Sequence, residues 1–475
     1  MTDQEYVQGL VERSRAAQQV FADFSQKDLD RAARAVAKCV YDNAELLAVE
    51  AVEETHMGTV EGKIKKMKSA MVNQWAFTKN RPSKGVVGWE KGKLDTENIL
   101  RIAKPAGVIA CVMPMTNPTT NMGANGMQCL KGGNSAIVCP HPRAYKVSKH
   151  CADLMREALK TVGAPEDLII CCDEPSILRT QEVMKQCDVV VATGGPGIVK
   201  AANSSGNPSL GVGQGNCQVV IDKGFRDQFD EMAADMMANR AYDSGIPCTG
   251  EQTIIIPKED KDAFTEAVNK NHGYYVTDKD AIQKLRELLF MTDKKTGQLR
   301  ANPEYVGKNI YELAELIGVK LPEGVLSMVV EIDKYGKDEL LCKEKMVPVA
   351  ALYAYDGDWK EAVQIAKTNL LMEGAGHSTD IYTKDKDKQI YAGLEIPVVR
   401  LPINSGQGLL NGRPYYAGGM TTTSGLGCGF WQSNILAGNL SYRELLNYTL
   451  MLYKLDTDKP DPTPDEVWAE DDVIF

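Results

Sequence analysis

Four short apolar segments recur between residues 105 and 205, and a segment of helical character follows each of them. They lie at 107–113, 135–139, 168–172 and 189–192. A strand that is apolar along its whole length must be covered on both faces, so this alternation predicts a parallel sheet with helical crossovers. Sheets of this kind bind ligands at the carboxyl ends of their strands. We therefore predict an α/β fold with a ligand site at this edge.

A second α/β unit follows the first, which is possible because a chain of 475 residues is long enough for two or three domains. Its apolar runs lie at 219–221, 253–257, 328–332, 347–352 and 398–401. Helical periodicity dominates the first 70 residues, whereas residues 85–103 have the pattern of a β-ribbon with a polar turn. The sequence thus predicts two α/β units and a small β element.

The composition excludes several classes of partner. A formal net charge of −10 and the absence of a basic tract argue against nucleic acid and anionic membranes. The sequence begins without a signal-peptide pattern and has no apolar run of membrane-spanning length. Twelve irregularly spaced cysteines without a C-x-x-C pair favour reduced thiols over disulfides or zinc. We expect a cytoplasmic protein that binds no metal.

Cys248 differs from the other cysteines in its surroundings. It lies in the run Ser244-Gly-Ile-Pro-Cys-Thr-Gly-Glu-Gln252, where Gly245, Pro247 and Gly250 indicate a tight turn before an apolar strand. A thiol held at such a turn is suited to attack a carbonyl. The alternative is a buried cysteine that acts as a small hydrophobe, which is the commoner case for a single cysteine.

A glycine-rich turn follows the fourth apolar run. Thr193, Gly194, Gly195 and Gly197 connect a predicted strand to a predicted helix, where backbone N–H groups can approach a phosphate. The G-x-G-x-x-G fingerprint is absent. A plain strand–helix turn is therefore the alternative interpretation.

Three further polar residues are candidates for the site. Asn117 follows the first strand and could donate to an oxyanion, or it could cap the next helix. Glu344 precedes a strand and could bind ribose hydroxyls, or it could be an exposed residue without a role. His377 could act as an acid–base group or as a hydrogen-bonded loop residue.

Together these segments resemble the aldehyde dehydrogenase superfamily, specifically its coenzyme A-acylating branch. The resemblance covers nearly the whole chain and is closest to acylating succinate-semialdehyde dehydrogenases and to the aldehyde dehydrogenase half of bifunctional aldehyde-alcohol dehydrogenases. It rests on eight segments in the same order, namely 116–119, 140–144, 192–197, 211–216, 244–252, 343–345, 374–377 and 426–429.

The resemblance implies a Rossmann-like cofactor domain, a catalytic α/β domain and a β oligomerisation ribbon. The implied division is 1–84 and 104–222 for the cofactor domain, 223–412 for the catalytic domain, 85–103 and 430–475 for oligomerisation, and 413–429 for a return to the cofactor domain. We expect a homodimer or a dimer of dimers, since exposed strand edges favour pairing between subunits.

The resemblance also implies residue roles. Cys248 is the expected nucleophile, and Asn117 with the Cys248 backbone N–H is the expected oxyanion site. The expected cofactor-binding residues are Thr116, Pro140, His141, Pro142, Arg143, Thr193, Gly194, Gly195, Gly197, Gly213, Glu344 and His377.

One departure from the family indicates the reaction. Hydrolytic members begin an E-L-G-G-K motif with a general-base glutamate, and Gly211 stands at that position here. Coenzyme A is a partly ionised thiol and needs less activation than water. The expected reaction is reversible and converts an aldehyde, coenzyme A and NAD or NADP to acyl-coenzyme A and the reduced nicotinamide.

The cofactor and the aldehyde stay open at this point. Arg143 and the lack of an acidic residue after Pro142 permit NADP, but relatives with the same motif use NAD. Arg413 could pair with an anionic aldehyde such as succinate semialdehyde or sulfoacetaldehyde, or it could be a surface arginine.

Three alternative functions are weighed against this one. They are a hydrolytic aldehyde dehydrogenase, a cysteine acyltransferase without a redox step, and a non-catalytic homologue in a metabolic microcompartment. Gly211 argues against the first, and the presence of Cys248 and Asn117 argues against the third.

Overall fold

A computed structural model describes residues 2–293, 297, 299–412 and 415–469. The α-helices are α1 (Asp3–Ala22), α2 (Gln26–Asp42), α3 (Ala44–Thr55), α4 (Val60–Thr78), α5 (Pro118–Lys131), α6 (Tyr145–Thr161), α7 (Ile177–Gln186), α8 (Pro196–Asn203), α9 (Phe229–Ala241), α10 (Lys261–Lys270), α11 (Lys279–Leu289), α12 (Ile310–Ile317), α13 (Trp359–Met372), α14 (Lys386–Glu395) and α15 (Pro464–Val467). The β-strands are β1 (Gly85–Lys91), β2 (Glu97–Pro105), β3 (Val108–Val112), β4 (Ser135–Cys139), β5 (Ile169–Cys171), β6 (Val189–Thr193), β7 (Ser209–Val212), β8 (Cys217–Ile221), β9 (Glu251–Pro257), β10 (Gly273–Val276), β11 (Phe290–Thr292), β12 (Leu299–Ala301), β13 (Ser327–Ile332), β14 (Val349–Tyr355), β15 (Gly376–Tyr382), β16 (Val398–Arg400) and β17 (Leu446–Leu452).

The first α/β unit contains a five-stranded sheet in the order β5-β4-β3-β6-β7. All of its strand pairs are parallel, which confirms the predicted parallel sheet. The strand order changes direction between β3 and β6, so their carboxyl ends form the crevice in which such sheets bind ligands. Strand β7 was not among the predicted apolar runs, because a glycine interrupts its short sequence.

The second unit contains a seven-stranded sheet in the order β10-β13-β14-β9-β8-β15-β16. Strand β8 pairs with β9 and β15 in this sheet. This agrees with the prediction from the apolar run at 219–221, which assigned that run to the second unit. The division into domains that the family resemblance implies, with its boundary at residue 222, stays a prediction.

A separate three-stranded antiparallel sheet has the order β1-β2-β17. It confirms the β-ribbon expected at 85–103 and adds a strand from the C-terminal segment. In the segment 430–445, Leu436, Leu440 and Leu445 are buried in the core of the first unit. Whether the three-stranded sheet joins subunits stays a prediction.

The helical N-terminal segment covers the first sheet. Ser25 caps α2 by accepting a hydrogen bond from the backbone N–H of Asp28, and the apolar stripe of α2 is fully buried against α5 and α6. Burial of each large aliphatic side chain in this stripe contributes about 1.5–3 kcal/mol relative to exposure. All twelve cysteines are free thiols. Within the described ranges, no helix is both long and apolar enough to cross a membrane.

Candidate active site

A cavity of about 170 Å³ lies where the two units meet. Helix α4 contributes Lys66 and Asn73 to its wall, α5 is preceded by Asn117, and Cys248 lies on the opposite side. Segments far apart in the sequence therefore meet around one cysteine, as the sequence interpretation requires. Most of the other residues that line the cavity are also polar: Ser69, Thr120, Asn121, Asn239, Thr249, Asn411, Thr422, Thr423 and Ser424.

Cys248 lies in the tight turn that its neighbours predict. The backbone N–H of Gly250 donates to the carbonyl of Pro247 (2.9 Å), and β9 begins at the next residue. A glycine from the other unit packs against this turn, because a Cβ at Gly215 would lie 2.1 Å from the carbonyl oxygen of Cys248. The thiol is partly exposed to the cavity while its backbone is fixed by close packing.

The imidazole of His377 contacts the thiol. Its Nε2 lies 3.3 Å from the Sγ of Cys248, and its Nδ1 lies 2.8 Å from the hydroxyl of Ser378. Burial and the guanidinium of Arg400 lower the pKa of His377 to about 3, so the ring is neutral at physiological pH. This contact fits the acid–base alternative that the sequence left open for His377. The predicted contact of His377 with the cofactor stays a prediction.

The thiol itself is held in its protonated form. Burial, followed by the carboxyl group of Glu344, raises the pKa of Cys248 to about 12. Neutral Nε2 of His377 is the nearest acceptor for the thiol proton. Formation of the nucleophile therefore requires proton transfer to this nitrogen as the sulfur attacks.

Asn117 precedes α5 but its side chain makes no capping hydrogen bond, so the capping interpretation is wrong. Its Oδ1 instead accepts a hydrogen bond from Nζ of Lys66 at 2.6 Å. This leaves the Nδ2 donor of Asn117 for another partner. Asn117 and Cys248 line the same cavity, and the role of Asn117 as an oxyanion donor stays a prediction.

Glu344 is buried, with only 4% of its surface exposed, so the interpretation as an exposed residue is wrong. Burial and the neighbouring Glu373 raise the pKa of Glu344 to about 8, and hydrogen bonds from Gln214 and the Gly215 N–H oppose this shift. Glu344 in turn contributes to the raised pKa of Cys248. Its assignment to the nicotinamide ribose stays a prediction.

The glycine turn after β6 is open. Gly195 is the N-cap of α8 and makes no side-chain cap, and a Cβ at Gly195 or Gly197 would meet no atom within 4 Å. The turn lies at the crevice between β3 and β6, next to Thr116 and Thr193. Free backbone N–H groups at a helix start, with space in front of them, fit a dinucleotide pyrophosphate.

Comparison with known proteins decides the family. The model described as "Aldehyde dehydrogenase family" matches residues 1–437. The chain belongs to the aldehyde dehydrogenase family.

Its relatives in this family include acylating enzymes. The chain is 39% identical to the succinate-semialdehyde dehydrogenase (acetylating) of Clostridium kluyveri, over 99% of this chain and 100% of that protein. The crystal structure of an acetylating aldehyde dehydrogenase from Geobacillus thermoglucosidasius has a TM-score of 0.87 and 29% identity, and covers 97% of this chain and 98% of that one. Propionaldehyde dehydrogenase of Rhodopseudomonas palustris, solved with bound CoA and an acylated cysteine, has a TM-score of 0.81 and 26% identity over 94% and 96% of the two chains.

The position of the hydrolytic glutamate is closed in this aldehyde dehydrogenase. Gly211 donates its backbone N–H to Oδ1 of Asn434 (3.1 Å) and accepts from the Nδ2 of the same side chain. A Cβ at Gly211 would lie 3.1 Å from both Asn434 and Val199. A side chain here would require Asn434 and Val199 to shift by a few tenths of an ångström, and Gly211 itself carries no carboxylate that could activate water.

Gly213 differs from the open glycines of the cofactor turn. A Cβ at this position would lie 1.9 Å from Oε1 of Gln432, which also accepts from the backbone N–H of Gln214 (3.2 Å). The space that a side chain at Gly213 would occupy is therefore filled by Gln432. Its predicted contact with cofactor stays a prediction.

The segment after β4 forms a short 3-10 turn, Pro142–Ala144. Nδ1 of His141 accepts from the backbone N–H of Arg143 (3.1 Å), and Pro140 ends the buried part of the strand. The carboxylate of Glu54, on α3, accepts hydrogen bonds from the backbone N–H groups of Lys146 and Val147 in the first turn of α6. A carboxylate 92 residues away in the sequence from Lys146 therefore lies next to this segment. Sequence spacing does not reveal that carboxylate. The predicted ribose contact stays a prediction.

Sequence reasoning missed four charged residues near the site, namely Arg400, Lys66, Lys63 and Asp243. Arg400 is buried and donates to the carbonyl of His377 (3.1 Å) and to Asn439. Its charge helps to lower the pKa of His377 and opposes the rise in the pKa of Cys248. Lys66 contacts Asn117 and also pairs with the buried Asp243. Helical periodicity places Lys63 and Lys66 on one face of α4, which is the only signal in the sequence.

Arg413, the predicted substrate ligand, lies outside the described residues. Asn411, two positions before it, lines the cavity. Within the described residues, no group of three or more histidine, cysteine, aspartate or glutamate side chains is arranged to hold a metal ion.

Proposed function

We propose that this enzyme is a coenzyme A-acylating aldehyde dehydrogenase. It converts an aldehyde, coenzyme A and NAD⁺ or NADP⁺ to acyl-coenzyme A, the reduced nicotinamide and a proton, and the reaction is reversible. The observation that carries the proposal is Gly211, because it supplies no general-base carboxylate where hydrolytic relatives have one. The acylating relatives described above support the same conclusion.

In the first step, Sγ of Cys248 adds to the aldehyde carbon while Nε2 of His377 accepts the thiol proton. The negative charge that develops on the carbonyl oxygen is stabilised by the Nδ2 of Asn117 and the backbone N–H of Cys248. The low pKa of His377 lets the ring release this proton to solvent, as the proton that the overall reaction yields, so the ring is neutral again before the second thiol arrives.

The open turn at Gly194–Gly197 and the buried carboxyl of Glu344 would hold the nicotinamide cofactor. When bound, the cofactor supplies the hydride acceptor that turns the alkoxide on Cys248 into a thioester. Because Gly211 carries no carboxylate to activate water, the thioester is expected to persist until coenzyme A attacks it.

In the second step, the thiol of coenzyme A loses its proton to Nε2 of His377, and its sulfur attacks the thioester carbon. The new carbon–sulfur bond displaces the thiolate of Cys248, which takes the proton back from His377. Asn117 stabilises the oxyanion of this step as it does in the first. His377 and Asn117 thus act in both half-reactions.

A small aldehyde with a carboxylate or sulfonate group is the proposed substrate. The cavity is lined by hydrogen-bonding side chains such as Asn73, Asn121 and Ser424, and the similar clostridial protein is named for succinate semialdehyde. In the described lining Lys66 already pairs with Asp243, so we assign the recognition of the anion to the amides and to Arg413. Succinate semialdehyde and sulfoacetaldehyde are the aldehydes to compare.

The test follows nicotinamide reduction at saturating aldehyde with and without coenzyme A, for both NAD and NADP. We expect turnover that requires coenzyme A and is abolished in Cys248→Ala. Cys39→Ser, which alters the other partly exposed cysteine, serves as the matched control and should retain activity. Equal turnover without coenzyme A would instead identify water as the acyl acceptor, and acyl exchange without nicotinamide reduction would identify an acyltransferase.

We also infer a cytoplasmic homodimer or dimer of dimers. Strand β17 forms the edge of the three-stranded sheet, and its Leu450, Met451 and Leu452 are exposed. An apolar strand edge of this kind favours pairing with a second subunit. Light scattering on the purified protein would measure the mass.

A further inference from the structure

Lys66 contacts both Asn117, the proposed oxyanion donor, and Asp243, which lies in the segment that leads to Cys248. We propose that Lys66 is a positioning residue that orients the amide of Asn117 toward the aldehyde oxygen, and that Asp243 fixes Lys66 in place. This inference rests on the proposed function, in which Asn117 donates to the oxyanion.

The first step of the argument is the orientation of an amide. A lysine ammonium group has donors only, so the atom of Asn117 that it contacts at 2.6 Å is the oxygen. The Nδ2 of Asn117 is consequently turned away from Lys66. Without the lysine, the amide could turn over and present Oδ1 to the substrate, where it would repel a developing alkoxide instead of stabilising it.

The second step concerns how Lys66 itself is fixed. Its Nζ also donates to Oδ2 of Asp243, a carboxylate that has no exposed surface, and lies 5.7 Å from the centre of the Tyr242 ring. The other oxygen of Asp243 accepts from the backbone N–H of Thr59 at 3.1 Å. Lys63 adds a second ammonium group 3.6 Å from the carboxylate. These contacts leave Lys66 few alternative conformations.

The third step is the backbone that carries Asp243. Asp243 and Ser244 have φ values of 45° and 53°, in the left-handed region that such residues rarely adopt. Conformations of this kind persist only where the surrounding contacts fix them. Here the backbone at Gly58 packs so closely on Asp243 that a Cβ would lie 2.0 Å from Oδ1. The same turn continues to Cys248, so one set of contacts fixes the nucleophile and the oxyanion donor together.

The fourth step is the charge. Two lysines face a single buried aspartate, which leaves an excess of positive charge beside Asn117. A cation that is hydrogen-bonded to Oδ1 polarises the amide and strengthens its N–H donors. Lys66 therefore contributes to the donor strength of Asn117 as well as to its orientation.

A double-mutant cycle between Lys66→Met and Asn117→Ala tests this proposal. The readout is the rate of nicotinamide reduction in the first turnover, without coenzyme A, at saturating aldehyde. We expect Lys66→Met to lower this rate about 10- to 100-fold, since loss of one oxyanion donor costs about 100- to 1,000-fold. In the Asn117→Ala background the same substitution should change the rate less than about threefold.

Controls separate positioning from folding and from an effect on the thiol. Lys66→Arg keeps the charge and the donors, and it should recover most of the lost rate without a change in KM. Lys131→Met removes another buried lysine, at the far end of α5, where it pairs with Asp30; it should lower thermal stability but leave the first-turnover rate within about twofold. Alkylation of Cys248 by iodoacetamide should be unchanged in Lys66→Met.

Equal loss of rate from Lys66→Met in both backgrounds would overturn the proposal, as would a parallel loss of alkylation. If Lys66→Met does not fold, Asp243→Asn replaces it in the cycle, and the same dependence on Asn117 is expected. The rate of nicotinamide reduction in the first turnover is measured before any acyl acceptor reacts with the thioester. An enzyme that proves to use water would therefore refute the proposed function while the cycle still decides the role of Lys66.

Discussion

Two glycine-rich segments follow neighbouring strands of the first sheet, and they have opposite surroundings. After β6, Gly195 and Gly197 face open space at the start of α8. At the end of β7 and just after it, Gly211, Gly213 and Gly215 are packed against Asn434, Gln432 and the backbone of Cys248. The first segment can admit a ligand, whereas the second is part of the wall that fixes the nucleophile. Glycine content alone does not distinguish these uses; the neighbouring residues do.

The largest effect on stability is expected when a large side chain is placed in the closed segment, the packed glycines at 211–215. Gly211→Glu would place a carboxylate against Asn434 and Val199, and we expect it to destabilise the protein by about 3 kcal/mol or more. Denaturant unfolding measures this change. The variant should not gain hydrolytic activity, and acid formation without coenzyme A in a stable variant would contradict our account of the position.

The desolvation of the thiol of Cys248, the residue that packs against Gly215, makes a second prediction. Because the pKa of Cys248 is raised to about 12, the reactive thiolate is a minor species at neutral pH. Its population increases about tenfold per pH unit below the pKa, so alkylation by iodoacetamide should rise about 100-fold between pH 7 and pH 9. The matched Cys248→Ala variant defines the background rate. A plateau in this range would show that the thiol is more exposed or better stabilised than its surroundings indicate.

Gly215→Ala tests the contact between the closed segment and the nucleophile. The added Cβ would lie 2.1 Å from the carbonyl oxygen of Cys248, so the turn must shift. We expect a loss of about 1–3 kcal/mol in stability and a fall in kcat of at least tenfold. Activity that matches the wild-type enzyme would mean that the two units separate easily at this point.

The smallest effect on stability is expected in the open turn. Gly195→Ala adds a methyl group where no atom lies within 4 Å, so stability should change by less than about 1 kcal/mol. The methyl group projects into the space assigned to the cofactor, and the KM for NAD or NADP should rise while kcat changes little. A larger loss of stability than in Gly215→Ala would remove the contrast between the two segments.

The sequence predicts the parts of this molecule that depend on local pattern. Apolar runs locate β3, β4 and β6 almost to the residue, because a strand buried on both faces leaves a continuous hydrophobic signature. The turn at Cys248 is likewise visible in Gly245, Pro247 and Gly250. The apolar run at 219–221 also predicts β8, which pairs with β9 and β15 in the sheet of the second unit.

The polar contacts of the site could not be predicted in this way. Lys66 reaches Asn117 across 51 residues and Asp243 across 177. Neither periodicity nor a turn signal carries information about such pairs. The contact between His377 and Cys248 spans 129 residues and was missed for the same reason. Family resemblance supplied the residue types, whereas their hydrogen-bond partners required coordinates.

The passage from the first sheet to the second occupies only residues 213–216, between the end of β7 at Val212 and the start of β8 at Cys217. That passage is also the wall behind the nucleophile, through the contact of Gly215 with Cys248. In a chimaera that exchanges the nucleotide-binding half between relatives, the junction must therefore lie before Gly213. Residues 213–216 then come from the same parent as the half that contains Cys248. Lengthening this passage would uncouple the two halves, which makes it a poor place for a fusion or an inserted reporter.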